Sequence, residues 1–146
     1  ANLQGWLRKV DKTGLVDKKV IDLEQILSYV DIAIISHEDI NDWTVLEIWK
    51  DKVDVLVVTI GSGGCKFNVD DKWYHVPAIK AVELDAVGAG DIFATAYMVK
   101  YFQTFDCFQS AIFANYVAGV SIEGERTTRL TESLLHDMQN ELGIDV

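Results

Sequence analysis

The seven residues from Asp85 to Asp91, read as DAVGAGD, stand directly before a long apolar run and decide how the rest of the sequence is interpreted. The run Ile92 to Phe102 is apolar almost all round, which predicts a buried helix. The amides of Gly88 to Gly90 would then be unpaired N-terminal donors of this helix, whose dipole favours a negative group. Because small residues let a phosphate approach the backbone closely, the stretch predicts an anion-binding helix start.

Asp91 allows two interpretations at this point. An aspartate beside a phosphate could take a proton from an attacking hydroxyl, because positioning and charge stabilisation dominate phosphoryl transfer. Aspartate is also a preferred N-cap residue, so Asp91 taken alone is better explained as a helix cap. Asp85, six residues earlier, and a separate glycine turn at Gly61 to Gly64 favour phosphate binding without deciding the question.

The sequence before this stretch alternates short helices with apolar strands. Continuous apolar runs and strict alternation predict strands at 32–35, 53–60, 65–69 and 73–76. Helical spacing predicts helices or helical turns at 22–30, 36–40 and 43–49. The strand at 53–60 ends at the glycine turn, and the last two strands flank Asp70-Asp71 as in a β-hairpin.

The sequence after the glycine stretch is helical. Asp106, with Gln109 three residues on, forms a capping box and predicts a second helix that ends at Gly124. A last amphipathic helix is predicted at 131–142. Alternation of strands and helices, followed by helices, predicts an α/β layered fold with parallel strands and some antiparallel edge strands.

Neither glycine segment fits the two commonest nucleotide-binding templates. A Walker A motif that starts at Gly61 needs a glycine where Lys66 stands. A dinucleotide fingerprint that starts at Gly61 needs a glycine at the same position, and one that starts at Gly88 needs it at Phe93. The sequence therefore argues against a P-loop and against a Rossmann site.

Composition excludes several classes of partner and site. The formal net charge of −10 argues against nucleic acid or an anionic membrane, because both reward a basic surface. Two cysteines, Cys65 and Cys107, are too few for a disulfide framework, and no Cys/His spacing resembles a zinc site. Residues 1–10 lack the apolar run of a signal peptide, and no stretch is apolar enough to span a bilayer. We therefore expect a soluble, cytoplasmic protein.

Four segments, in order along the chain, resemble signatures of the PfkB/ribokinase carbohydrate and nucleoside kinases. The stretch from Val76 to Asp91 resembles the second family signature, which is usually written D-T-x-G-A-G-D. Leu3 to Arg8 resembles the D-x-Q-G-x-x-R element, and Thr59 to Gly64 resembles the T-x-G-x-x-G turn. The small-residue helix Ala111 to Ile122, which ends at Gly124, is similar to the helix and loop beside the nucleotide base.

The resemblance implies a three-layer ribokinase-like sandwich and an ATP-dependent phosphotransferase that acts on a hydroxyl of a sugar or nucleoside. Asp91 would be the catalytic base that activates this hydroxyl, and Gly88, Ala89 and Gly90 would form the anion hole for the transferring phosphate. The same resemblance implies that the nucleotide is contacted by Thr59, Gly61, Gly64, Asn115 and Gly124.

The metal ions are implied by the same resemblance. Magnesium would arrive with ATP and lie near Asp39, the last residue of a segment that stands where the family has N-x-x-E. Asp85 would lie near a monovalent-cation site for K⁺. The segment has serine for asparagine and aspartate for glutamate, and Ser36 is equally well explained as an N-cap.

Two departures from the family pattern keep a second interpretation open. The usual threonine after the first aspartate of the signature is Ala86, and the N-x-x-E segment is altered. A module that binds nucleotide or a protein partner without turnover would also fit. The resemblance further implies that residues 1–146 are the C-terminal, nucleotide-binding half of such a kinase. The N-terminal substrate-binding half and the lid, through which a homodimer could form, would then be absent.

Overall fold

A computed structural model describes residues 1–18 and 23–124 of the chain. The chain divides into two compact units, Ala1–His75 and Val76–Val146.

The helices of the first unit are α1 (Gln4–Leu7), α2 (Glu24–Leu27) and α3 (Val45–Trp49). The strands are β1 (Arg8–Val10), β2 (Val16–Lys18), β3 (Ile32–Ser36), β4 (Val55–Thr59), β5 (Cys65–Val69) and β6 (Lys72–Val76). Short 3-10 turns lie at His37–Asp39 and Gly61–Gly63. The described helices of the second unit are α4 (Ala89–Thr104) and α5 (Cys107–Ser121).

The main sheet has the strand order β3-β4-β5-β6 and mixes parallel and antiparallel pairs. β3 is parallel to β4, with Ile32 opposite Val55 and Ser36 opposite Thr59. β5 is antiparallel to β4, with Cys65 opposite Thr59. Because β3 and β4 run the same way, the residues that follow them emerge at one edge of the sheet, where ligands of α/β proteins commonly bind.

The hairpin between β5 and β6 forms as the alternating pattern predicts. Asp70 and Asp71 have φ angles of 50° and 58°, the left-handed backbone that both positions of a type I′ turn require. Aspartate tolerates this conformation better than most residues, which explains why a turn without glycine forms here.

The two central strands are buried along their whole apolar length. All residues of Ile32–Ile35 and Val55–Val58 are 5% exposed or less, as their continuous apolar runs predict. One face of these strands packs in a core that gathers Leu3, Leu7, Leu23, Leu27, Ala33, Ile35, Ile40, Leu46, Trp49, Leu56 and Val58. These strands give the sheet edge at Ser36 and Thr59 a rigid base.

The second unit is built around a helical hairpin. Phe105 is left-handed, with a φ angle of 52°, and ends α4, while Asp106 begins α5. The Asp106 carboxylate accepts hydrogen bonds from the amides of Phe108 and Gln109, which confirms the predicted N-cap. The Gln109 side chain donates to the Asp106 carboxylate instead of accepting from the Asp106 amide as in a standard capping box, and that amide donates to Thr104 Oγ1.

Two predictions about the helices need correction or lie beyond the described residues. Helix α4 begins at Ala89, three residues before the predicted run, and it is not buried all round. Val99 and Phe102 are 46% and 64% exposed, because only the side of the helix that carries Phe93 and Tyr97 is buried. The predicted helix at 131–142 lies outside the described residues. None of the described helices has the length and apolarity needed to cross a membrane.

Candidate functional site

The glycine turn after β4 uses most of its own amides. Ile60 donates to the Gly64 carbonyl at 2.8 Å, Gly63 donates to Ile60 at 3.1 Å, and Gly64 donates to Gly61 at 2.9 Å. Gly64 is buried, with φ 91° and ψ −128°, a conformation that only glycine adopts readily. Of the turn residues predicted to contact nucleotide, Gly61 is exposed, while the Gly64 amide is already bonded within the turn.

Two histidines hold this turn from outside. His37 Nδ1 lies 3.1 Å from the Thr59 carbonyl oxygen, and His75 Nε2 lies 2.8 Å from the Gly63 carbonyl oxygen. Each of these ring nitrogens must carry the proton, because a carbonyl oxygen only accepts. Residues 61–63 of the turn are exposed, and among them the amides of Gly61 and Ser62 make no main-chain bond within the described residues. Ser62 occupies an unspecified position of the family pattern, so motif spacing gives no signal for it.

Asp39 has a partner, Arg8, that no sequence pattern predicts. Arg8 Nε donates to one carboxylate oxygen at 2.6 Å, and Arg8 Nη2 donates to the other at 3.2 Å. The Asp39 side chain is 3% exposed and that of Arg8 is 35% exposed, so the pair is shielded from water on the aspartate side. The predicted magnesium role of Asp39 stays a prediction, and it would require this carboxylate to leave the arginine.

The loop before α4 has a different pattern of bonding. Asp85 Oδ1 accepts from the Val87 amide at 2.9 Å, and the Ala89 amide donates to the Ala86 carbonyl at 3.0 Å. Gly88 is left-handed, with φ 87°, which turns the chain into the helix without steric cost. The amides of Gly88 and Gly90 donate to none of the described residues. Two of the three predicted anion-hole amides therefore point to no protein acceptor in the described part of the chain.

Asp91 is not the residue that caps α4. The N-cap position belongs to Gly88, which makes no side-chain cap bond, and Asp91 is the third residue of the helix. Its side chain is exposed, in the first turn, where the helix dipole stabilises a carboxylate. The capping interpretation of Asp91 is therefore wrong, while its role as a base stays a prediction.

The segment from Val76 to Asp85 lies along α5 and is fastened to it. Asn115 Nδ2 donates to the carbonyls of Val76 and Pro77 at 3.0 and 3.2 Å. The amides of Leu84 and Asp85 donate to the Ile122 carbonyl at 2.8 and 3.2 Å. The Asn115 amide nitrogen is thus occupied by main chain, and its predicted contact with the nucleotide stays a prediction.

The structure groups the predicted residues within each unit. In the first unit Thr59, Gly61, Gly64 and Asp39 gather at the edge where β3 and β4 end. In the second unit the loop from Asp85 to Asp91 is bonded to the end of α5, two residues before Gly124.

Candidate metal ligands do not cluster in the described part of either unit. Among the described residues no three His, Cys, Asp or Glu side chains cluster closely enough to hold a metal ion. The magnesium site near Asp39 stays a prediction. The K⁺ site near Asp85 stays a prediction.

Comparison with known proteins identifies one matching family. The model described as pfkB family carbohydrate kinase matches residues 7–133. Fructokinase-1 of Zea mays is 33% identical over 90 residues, which cover 62% of this chain and 25% of that protein. The match therefore spans about a quarter of the length of this relative.

Solved structures share the fold. The nucleoside kinase of Methanocaldococcus jannaschii, an archaeal member of the ribokinase family, superposes with a TM-score of 0.68 and 22% identity, over 81% of this chain and 42% of that one. The aminoimidazole riboside kinase of Salmonella enterica was solved in complex with aminoimidazole riboside and an ATP analogue. It superposes with a TM-score of 0.68 and 15% identity, over 80% of this chain and 44% of that one. At these identities the similarity establishes the ribokinase-like fold, with helices and a mixed sheet.

Proposed function

Because the chain belongs to the pfkB family of carbohydrate kinases, we propose that it forms the nucleotide-binding and phosphoryl-transfer part of an ATP-dependent kinase. The acceptor is a hydroxyl of a sugar or nucleoside, bound by residues that lie outside this chain. Two relatives support this choice of acceptor class, one named as a fructokinase and the other complexed with a riboside and an ATP analogue.

The start of α4 is the observation that carries the proposal. Asp91 is exposed in the first turn, and the open amides of Gly88 and Gly90 lie within three residues of it. Amides at a helix N-terminus are suited to hold the oxygens of a transferring phosphate, because the dipole and the hydrogen bonds both favour negative charge. A candidate base and two open amides thus lie at the start of one helix of sixteen residues, Ala89–Thr104, which supports the proposal.

The reaction that this arrangement supports is direct transfer. The acceptor hydroxyl gives its proton to the Asp91 carboxylate, and its oxygen forms the new bond to the γ-phosphorus of ATP. The bond from phosphorus to the β–γ bridging oxygen breaks, and ADP leaves with that oxygen. The amides of Gly88 and Gly90 stabilise the charge on the phosphoryl oxygens during transfer.

The turn at Gly61–Gly64 has a supporting role in the proposal. Within the first unit, the exposed amides of Gly61 and Ser62 are donors suited to phosphate oxygens, while the amides of Gly63 and Gly64 maintain the shape of the turn. Magnesium accompanies the nucleotide and neutralises phosphate charge.

The test is phosphate transfer in a polypeptide that contains this chain together with the remainder of a complete kinase. Asp91→Asn should lower kcat by about a thousandfold, because a positioned base contributes between a hundredfold and ten-thousandfold. Glu83→Gln makes the same charge change at an exposed position near the loop and should leave kcat unchanged. Release of ADP in the presence of fructose, ribose or adenosine measures turnover for each acceptor. Full turnover by Asp91→Asn would remove Asp91 from the mechanism.

A second candidate function is nucleotide binding without transfer. It is favoured by Ala86 in place of the usual threonine and by the occupation of Asp39 by Arg8. Thermal unfolding with ATP and magnesium tests whether the chain binds nucleotide at all, because a ligand that binds only the folded state raises the unfolding temperature. Stabilisation by ATP with no ADP release for any acceptor would favour the second function.

A further inference from the structure

A cavity of about 500 Å³ lies between α3 and the β5–β6 hairpin. This volume is in the range of small-molecule binding sites, about 300–1,000 Å³. All the residues that line it belong to the first unit, and none of them is among the residues predicted for the nucleotide site. The cavity is therefore a separate feature of the molecule.

Periodicity explains why these side chains meet. Trp43, Glu47 and Lys50 recur at helical spacing, so they share the side of the 43–50 segment that faces the hairpin. Trp73 and His75 alternate along β6, so they lie on one face of the hairpin. The cavity lies between these two surfaces, and its lining is completed by Leu46, Val58, Lys66 and Tyr74.

The walls are fastened to each other and to the sheet. Lys50 donates a hydrogen bond to the Asp71 carboxylate at the tip of the hairpin, and this bond raises the pKa of Lys50. His75 is fixed by its bond to the Gly63 carbonyl at 2.8 Å. Walls that are fixed before a ligand arrives lose little conformational freedom on binding, which favours affinity.

The lining combines aromatic surface with one uncompensated cation. Trp43 and Trp73 are 49% and 37% exposed, although large indole rings are usually more deeply buried. Lys66 is exposed and forms no ion pair with any of the described residues. The only acidic wall residue, Glu47, lies 3.7 Å from Lys50, which offsets part of its charge.

We propose that this cavity binds a small planar aromatic anion. Its ring packs against the indoles of Trp43 and Trp73, and its carboxylate or phosphate pairs with the Lys66 ammonium. The flat apolar indoles favour an aromatic ring, and the Lys66 ammonium favours a negative charge. A neutral ring of the same shape should therefore bind less tightly than the anion. The proposal does not depend on phosphoryl transfer.

Calorimetric titration of the full chain tests this with matched probes. 2-Naphthoate should bind about fivefold more tightly than the neutral 2-naphthamide, the ratio expected for one partly exposed ion pair. Phenyl phosphate against phenol repeats the comparison for the phosphate group, and the tighter of the two anions identifies the headgroup. Equal affinity of the anion and its neutral counterpart in both pairs would overturn the proposal, as would no binding of either anion at millimolar concentration.

Opposite charge changes on the cavity wall locate the site. Lys66→Met should weaken the preferred anion about fivefold and leave the neutral probe unchanged. Glu47→Gln should strengthen the anion, because it removes a like charge from the same wall. Lys72→Met removes an equivalent exposed lysine from the same hairpin, away from the lining, and serves as the control. Equal effects of Lys66→Met and Lys72→Met, or weaker anion binding by Glu47→Gln, would contradict the assignment.

Discussion

The two glycine turns of the molecule, Gly61–Gly64 and Gly88–Gly90, differ in how they use their backbone amides. In the first turn the amides of Gly63 and Gly64 bond to carbonyls of the turn itself, and a histidine side chain holds the Gly63 carbonyl. In the second turn the amides of Gly88 and Gly90 donate to none of the described residues. The first turn therefore uses the amides of Gly63 and Gly64 to fix its own shape, whereas two amides of the second turn donate to no described acceptor.

This difference separates glycines whose amides hold their own turn together from glycines whose amides are available as donors. An amide that bonds within its own turn loses that hydrogen bond when a substitution changes the backbone of the turn. Such a substitution should therefore lower the free energy of unfolding. An open amide contributes little to the folded state, and substitution beside it should change binding instead.

The largest change is expected from Arg8→Met, which removes the partner of Asp39. It should lower the free energy of unfolding by about 3 kcal/mol, because it leaves a buried carboxylate without its charge partner. The 3-10 turn that carries Asp39 also carries His37, which holds the end of β4, so the glycine turn should loosen as well. Urea unfolding measures the change.

The double variant Arg8→Met/Asp39→Leu provides the control for that prediction. Removing both charges avoids the unpaired carboxylate, so the double variant should recover most of the lost stability. A double variant as unstable as Arg8→Met alone would show that packing of the arginine side chain, rather than pairing of its charge, stabilises this corner.

The next change is expected from Gly64→Ala. Its φ of 91° with ψ −128° is hostile to any side chain, so alanine should cost about 2 kcal/mol. Gly61→Ala is the matched control, with φ 58° and open space around the added methyl, and should cost about 1 kcal/mol. Equal costs in urea unfolding would show that the two ends of the turn are equally constrained.

Much of the fold follows from local patterns, and the failures have local causes too. The buried strands, the hairpin at Asp70-Asp71 and the Asp106 cap were predicted because each depends on neighbouring residues alone. The β1–β2 ribbon was not predicted because its three-residue strands, RKV and VDK, are too short and polar to show an alternating hydrophobic pattern. Exposure of Phe102 was missed because composition cannot show which side of α4 packs.

The candidate site was predictable as a set of positions and unpredictable in its bonding. Motif spacing selects Gly64 and Ala89, but whether their amides remain open depends on backbone angles and on carbonyls elsewhere in the turn. The Arg8–Asp39 pair joins residues 31 positions apart, a distance at which no local pattern operates. Sequence spacing identifies where a ligand could bind, and only the fold identifies which donors are left for it.

A smaller change is expected from Asp106→Ala, which compares the two helix starts. Asp106 caps α5 with its side chain, whereas Gly88 gives α4 no such bond. Loss of the cap should cost about 1 kcal/mol in urea unfolding at neutral pH. Asn at this position also accepts amide bonds, so Asp106→Asn is the control and should retain most of the stability. A loss as large in Asp106→Asn as in Asp106→Ala would exclude the cap as its source.

The same cap has a pH dependence with a defined sign. The Gln109 amide is the foremost of the hydrogen-bond donors that lower the pKa of Asp106 below its ordinary value of 3.8. The folded state therefore protonates Asp106 less readily than the unfolded state does. The stabilisation from the ionised Asp106 cap is fully present above pH 3.8. It is lost as the pH falls through the lowered pKa. The stability gap between wild type and Asp106→Ala should accordingly narrow in acid, and a constant gap would contradict the charge-assisted cap.

The smallest change in stability is expected from Gly90→Ala, and this variant tests the comparison most directly. A methyl group at Gly90 would meet nothing within 4 Å, and alanine favours helix, so the free energy of unfolding should stay the same or rise by up to about 1 kcal/mol. The methyl would nevertheless stand beside the open amides, where a phosphate must approach. Phosphate transfer by the complete kinase should fall at least about tenfold, as expected when anion-hole bonds are weakened.

Gln103→Ala, near the far end of α4, makes a helix-compatible change without touching the loop and should leave transfer intact. Because the variant remains folded, lost transfer would identify the open turn as the ligand-binding one, whereas unchanged transfer would mean that these amides are open without being used.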